Sequence, residues 1–155
     1  MLSIYYGCGL RAGEGAALNI NDILFYKNLL YVRKGKGYRE RYVPINKQVK
    51  TDLQEYIFNQ RNDLLNNKKS EALLLGRRGE RWSVRGMYGR LQLLKSQTWN
   101  EELKQKSFGL HILRHSIATH LLQDGMKLEL ISRFLGHKSL ETTQKYTHLA
   151  KDENI

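Results

Sequence analysis

Residues 110–148 read LHILRHSIATHLLQDGMKLELISRFLGHKSLETTQKYTH. Leu110, Leu113, Ile117 and Leu121 recur at spacings of three, four and four, which predicts one apolar face on a helix from Leu110 to Gln123. Asp124-Gly125 ends it. Leu128 to Leu135 reads as a further helix closing at Gly136, the residue type suited to a left-handed C′ position. Ser139 stands where it would cap a short helix carrying Glu141 to Tyr146. The densest set of reactive side chains in the sequence lies on this frame: His111, Arg114, His137 and Tyr146.

Those residue types suit chemistry at a phosphodiester, which needs cationic donors for the non-bridging oxygens, a proton donor for the leaving oxygen, and a nucleophile. His111 and Arg114 are three apart, so a helix sets them side by side, within reach of one phosphate. Arginine offers a planar fork of donors and stays charged as negative charge grows on a phosphorane. The strongest candidate for a second such arginine is Arg11, isolated between small residues after Gly7-Cys8-Gly9. Spacing alone does not show that Arg11 reaches Arg114.

Upstream, Leu2 to Tyr6 reads as the last turns of a helix whose start is missing, and Ala12 to Leu18 as a second, weaker helix. Three β-like runs follow, Ile23 to Tyr26, Leu29 to Val32 and Arg39 to Ile45, joined by Lys27-Asn28 and by the turn Gly35-Lys36-Gly37. Pro44, the only proline, is tolerable at a sheet edge, where a missing donor breaks no ladder. A helix is expected over Val49 to Leu64, a loop over Asn66 to Ser70, and another helix from about Ser83 to Ser96. The fold class is therefore α+β, mainly α-helical, with a small three-stranded antiparallel sheet, in one domain spanning 1–155.

Lys and Arg outnumber Asp and Glu 26 to 15, and a net charge of +11 attracts polyanions, nucleic acid first. Two segments concentrate it: Arg33, Lys34, Arg39 and Arg41 around the hairpin, and Arg77, Arg78, Arg81 and Arg85 further on. All eight are candidate DNA contacts. The single cysteine, Cys8, excludes an internal disulfide and reads as a small buried residue; no apolar run is long enough to cross a bilayer, and the cytoplasm is the expected compartment. His111 and His115, four apart, invite a metal reading, but no carboxylate or thiolate lies nearby and Arg114 between them repels a cation. No metal is expected. His120, near the apolar stripe, reads as a core histidine, and Tyr146 is one of nine tyrosines, a residue usually engaged in packing.

Five elements in order resemble the tyrosine recombinases, particularly the Xer-type proteins and the phage or transposon integrases. They are Gly9-Leu10-Arg11 with Glu14 and Leu18, the hairpin from Gly35 to Pro44, His111-Ile112-Leu113-Arg114-His115, Leu135-Gly136-His137, and Tyr146-Thr147-His148. The resemblance covers nearly the whole chain. It implies the catalytic-domain fold of that family and a cut and rejoining of DNA without metal or nucleotide cofactor. Arg11 and Arg114 would hold the scissile phosphate, and His137 would hydrogen-bond a non-bridging oxygen. His111 would act as general acid or base, and Lys36 would protonate the leaving 5′ oxygen, with Lys34 as its rival. Tyr146 would attack phosphorus and keep the 3′ phosphate.

The implied partners are double-stranded DNA at a specific recombination site and a homo-tetramer assembled on it. Set against the family pattern, the chain is expected to be truncated at both ends, without the separate N-terminal domain that clamps DNA from the other side. Two alternatives remain at this point: a type IB topoisomerase with the same tyrosine chemistry, and a non-catalytic DNA-binding module.

Overall fold

The computed structural model describes residues 1–33, 40–137 and 139–144. Helix α1 (Leu2–Gly7) and helix α2 (Ala12–Ala17) come first, with a 3-10 turn at Ile20–Asp22. The sheet follows: β1 (Ile23–Leu24), β2 (Leu29–Val32) and β3 (Arg41–Pro44), antiparallel in the order β1-β2-β3. The helical remainder comprises α3 (Lys47–Glu55), a π-helical stretch Tyr56–Gln60, α4 (Arg61–Leu65), α5 (Val84–Ser96), α6 (Glu101–Gln105), α7 (Leu110–Gln123) and α8 (Leu128–Leu135). The α+β reading holds.

Strand alternation explains which face of the sheet is buried. Leu30 lies opposite Val43 and Val32 opposite Arg41, and Leu30, Val32 and Val43 are all buried, while Tyr42 and Pro44 face outward. Pro44 sits on the edge strand, as expected. The first strand is shorter than its sequence suggests, because Phe25 to Asn28 turn instead, with Asn28 left-handed at φ 53°. The expected start of the third strand, Arg39, lies outside the described residues.

The helix expected over Val49 to Leu64 begins with Asn46 accepting the Val49 N–H at 2.8 Å and continues as three segments, the middle one widened to π geometry. Helix α6 was not anticipated; five residues capped by Asn100 are too short to carry an apolar period. In α7 the fully buried line is Leu110, Arg114 and Ala118 rather than the apolar stripe, whose Leu113, Ile117 and Leu121 are half-buried. His120 corrects another expectation. It is exposed, with its Nδ1 2.6 Å from the Tyr6 hydroxyl on α1.

Two apolar clusters result among the described residues. The larger gathers α1, the sheet, α3, the 73–74 segment, α5 and Leu110. The smaller consists of Ala118 on α7 with Ile131 and Leu135 on α8, and Phe134 packs against both clusters.

Candidate active site

The site forms where the two clusters meet, and it is organised around one carboxylate. Glu14 lies in the first turn of α2, and its side chain is 0% exposed. Arg11, the residue preceding α2, donates its backbone N–H to Glu14 Oε2 at 2.9 Å and its Nη1 to Oε1 at 3.0 Å. Arg41 reaches the same carboxylate from β3, with Nη1 to Oε1 at 2.9 Å and Nη2 to Oε2 at 3.0 Å. Arg114 on α7 places Nη1 3.8 Å from Oε2. Three guanidinium groups thus share one buried negative charge. Burial, the largest single influence, pushes the Glu14 carboxyl up, but the hydrogen bonds and charge of Arg41, the Arg11 N–H and the charge of Arg114 together hold it below its ordinary value. Glu14 stays ionised.

Arg114 is held by backbone. Its Nη1 donates to Gly9 O at 2.5 Å and its Nη2 to Leu135 O at 2.6 Å, so one guanidinium ties the α1–α2 turn to the end of α8. Gly9 is required at that turn. Its φ is +57°, and a Cβ there would lie 2.8 Å from both Leu135 and Phe134.

The end of α8 sets His137. Gly136 adopts φ +66°, the N–H of His137 donates to Ser132 O at 3.0 Å, and the chain leaves the helix with the His137 ring turned to Thr143, Nδ1 to Oγ1 2.7 Å. Burial, then the charges of Arg114, Arg11, Arg41 and His115, pull the His137 imidazole down to about 4. It is therefore neutral at physiological pH. Two residues before it, Leu135 O accepts from Arg114, which ties the turn carrying His137 to that guanidinium. His111, in the first turn of α7, is exposed, and its ring meets His115 edge-on with centroids 6.1 Å apart. His115 is lowered by burial, by His111 and by Arg114.

The structure thus brings Arg11 and Arg114 to one carboxylate, sets His137 two residues beyond the Leu135 carbonyl that Arg114 holds, and puts His111 at the exposed start of the helix that carries Arg114. Lys36 and Tyr146, with Lys34 and Arg39, lie outside the described residues. Of the other expected DNA contacts, Arg77, Arg78 and Arg85 are exposed, and Arg33 is exposed while paired with Asp22 at 2.8 Å. Arg81 also has its guanidinium bonded to Ala16 O, Leu18 O and Asn19 Oδ1, fixing the end of α2.

Arg41 departs from the expectation of a surface phosphate contact, because its side chain is 8% exposed and its guanidinium points at Glu14 and at Phe134 O. Alternation gave a signal for this, since Arg41 is two residues from buried Val43 on the same strand face. Sequence reasoning also missed Glu14 as a shared counter-ion, naming it only as part of the motif that begins Gly9-Leu10-Arg11. Thr143, fully buried against His137, gave no signal at all.

With this geometry in hand, comparison with known proteins is decisive. The model of the phage integrase family matches residues 1–153. The chain belongs to that family. Among curated relatives, it is 40% identical over 151 residues to the tyrosine recombinase XerC of Roseiflexus castenholzii, covering 96% of this chain and 46% of that protein. It is 37% identical over 152 residues to the tyrosine recombinase XerD of Oceanobacillus iheyensis, covering 97% and 50%.

Among solved structures, the XerA recombinase superposes with a TM-score of 0.83 at 29% identity, covering 97% of this chain and 54% of that one. The XerH site-specific recombinase, bound to a palindromic difH substrate in a post-cleavage complex, gives 0.78 at 28%, covering 97% and 42%. This integrase-family chain has the fold of a tyrosine recombinase catalytic domain. It spans about half the length of the curated relatives it matches. Among the described residues no helix is long and apolar enough to cross a membrane.

Proposed function

We propose that the chain forms the catalytic domain of a site-specific recombinase that cuts and rejoins double-stranded DNA through a phosphotyrosine at Tyr146. The observation that carries this reading is the convergence of Arg11 and Arg114 on Glu14. With Arg41 included, three guanidinium charges face one carboxylate, and the surplus of two suits a phosphate whose negative charge grows during attack. His137, neutral and oriented by Thr143, donates from Nε2 to a non-bridging oxygen in the tautomer where the Thr143 hydroxyl donates to Nδ1.

In the proposed step, the Tyr146 oxygen forms a bond to phosphorus as the bond from phosphorus to the 5′ oxygen breaks. The tyrosine proton passes to a base, for which His111 is the candidate, and the leaving oxygen takes a proton from Lys36. The DNA strand keeps its phosphodiester energy in the tyrosyl ester. A free 5′ hydroxyl reverses the step, so no nucleotide is consumed. Tyr146 and Lys36 hold these roles through the family motifs they occupy. The partner is a specific duplex site, and strand exchange takes place in a homo-tetramer in the cytoplasm.

The test uses the full-length protein and a duplex selected by it from a randomised DNA pool, nicked so that the cut cannot be resealed. The expected result is a protein–DNA adduct that survives denaturation, forms in the presence of a chelator, and is lost in Tyr146→Phe. An adduct that persists in that variant would overturn the assignment, as would failure of the pool to enrich any sequence.

A further inference from the structure

We infer that Arg41 is a positioning residue whose task is to occupy Glu14, so that Arg114 keeps the direction set by its bonds to Gly9 O and Leu135 O and stays turned toward the phosphate. This inference rests on the proposed recombinase chemistry and adds to it a residue that need not touch DNA. Its basis is the uneven sharing of the carboxylate. Arg41 holds both Glu14 oxygens, at 2.9 and 3.0 Å, in the two-point geometry that gives the strongest arginine–carboxylate pairs. Arg114 stands at 3.8 Å from one of them, beyond hydrogen-bond distance, with its guanidinium held instead by Gly9 O and Leu135 O.

The arrangement would not survive loss of Arg41. A carboxylate 0% exposed cannot turn to water for the two donors it would lose, and with only Arg11 still bonded to it, an under-satisfied buried charge would draw in the next cation. Beyond Arg11, that cation is Arg114, 3.8 Å away. Closing the gap from 3.8 Å to a hydrogen bond would pull its Nη1 off Gly9 O and change the direction of the whole planar group.

Arg41 also links the hairpin to the rest of the site. Its Nε donates to Phe134 O at 2.9 Å, three residues before His137, and it fills the space beside Gly136, where a Cβ would lie 2.8 Å from Nη1. One side chain on β3 thereby fixes the distance between the hairpin strand, the arginine pair and the turn that presents His137.

The experiment compares cleavage and binding of the same selected, nicked duplex by full-length wild type, Arg41→Met, Arg41→Lys, Glu14→Gln and the double variant Arg41→Met/Glu14→Gln. Arg41→Met is expected to lower the cleavage rate about 100-fold, as small misplacements of catalytic groups do, with duplex affinity changed by less than about threefold. Arg41→Lys is expected to recover only part of the rate, because an ammonium cannot hold both oxygens. The deciding readout is the double variant: a neutral carboxamide no longer competes for Arg114, so it should cleave faster than Arg41→Met alone. A double variant slower than Arg41→Met would overturn the inference, as would Arg41→Met cleaving at the wild-type rate or losing affinity in proportion to rate. Should Arg41→Met fail to fold, Arg41→Lys against Arg41→Lys/Glu14→Gln carries the same comparison. Absence of any Tyr146-dependent adduct from wild type would instead refute the recombinase reading itself.

Discussion

The two apolar clusters differ in size and in what they hold. The larger, which includes α1, the sheet and α5, fixes Arg11, Glu14 and Arg41 on elements anchored by many buried side chains. Among the described residues the smaller has Ala118, Ile131 and Leu135 at its centre, and α8 leads directly to His137. Apolar packing shared through Phe134 links them, and so do polar contacts: Arg114 bonded to Gly9 O on one side and Leu135 O on the other, with Arg41 bonded to Phe134 O. The candidate site is thus held together by two of the cations that surround Glu14. Buried ion pairs seldom add much stability compared with an apolar replacement, but they are costly to break, so this seam is specified more by geometry than by strength.

Breaking the seam should have the largest effect. Arg114→Met leaves Glu14 without one cation and two carbonyls without donors; it is expected to cost about 3–5 kcal/mol and to abolish cleavage. Denaturant unfolding, with amide exchange in α8, would measure both the loss and its location. Leu30→Ala in the larger cluster should cost about 2–5 kcal/mol while leaving the cleavage rate per folded molecule unchanged. Ile131→Ala in the smaller cluster should cost about 2 kcal/mol, at the lower end because that cluster can relax, but should slow cleavage more than Leu30→Ala does. Equal rates in these two variants would show that α8 does not position His137.

A smaller effect concerns pH. His137 takes up a proton near its ordinary value of 6.5 when unfolded but only at about 4 when folded. Between those values the unfolded state binds the proton and the folded state does not, so this contribution is fully present above pH 6.5 and is lost as pH falls toward 4. His137→Gln should flatten the slope of stability against pH in that window, and an unchanged slope would contradict the assignment. The smallest expected change is Thr143→Val, about 1 kcal/mol in stability from one lost hydrogen bond, with cleavage slowed by misorientation of His137.

Much of this was legible in the sequence. Helix ends at Asp124-Gly125 and Gly136, the edge position of Pro44 and the order of strands follow from local rules, and the local rules agree with the fold. Arg11 and Arg114 were identifiable as a pair by chemistry, but their meeting depends on a buried carboxylate between elements about a hundred residues apart, which no local pattern reports. Arg41 was misread because charge outweighed strand alternation, although its place two residues from Val43 marked it as inward-facing. His120 was misread for the reverse reason. A side chain three residues from Ile117 was taken to share its burial, whereas the buried line of α7 runs through Arg114 and Ala118 instead. Thr143 is fixed by contact with a ring six residues away, and nothing in its neighbours announces it.

The most direct measurement is a structure of the full-length protein bound to its selected duplex before cleavage. The expected result is one scissile phosphate within hydrogen-bond distance of both Arg11 and Arg114, with Arg41 still paired to both oxygens of Glu14 and the Tyr146 oxygen in line with the leaving 5′ oxygen. A phosphate bound by Arg41 instead, or one that meets Arg11 and Arg114 at separate positions along the DNA, would contradict the proposal of a single site built around Glu14.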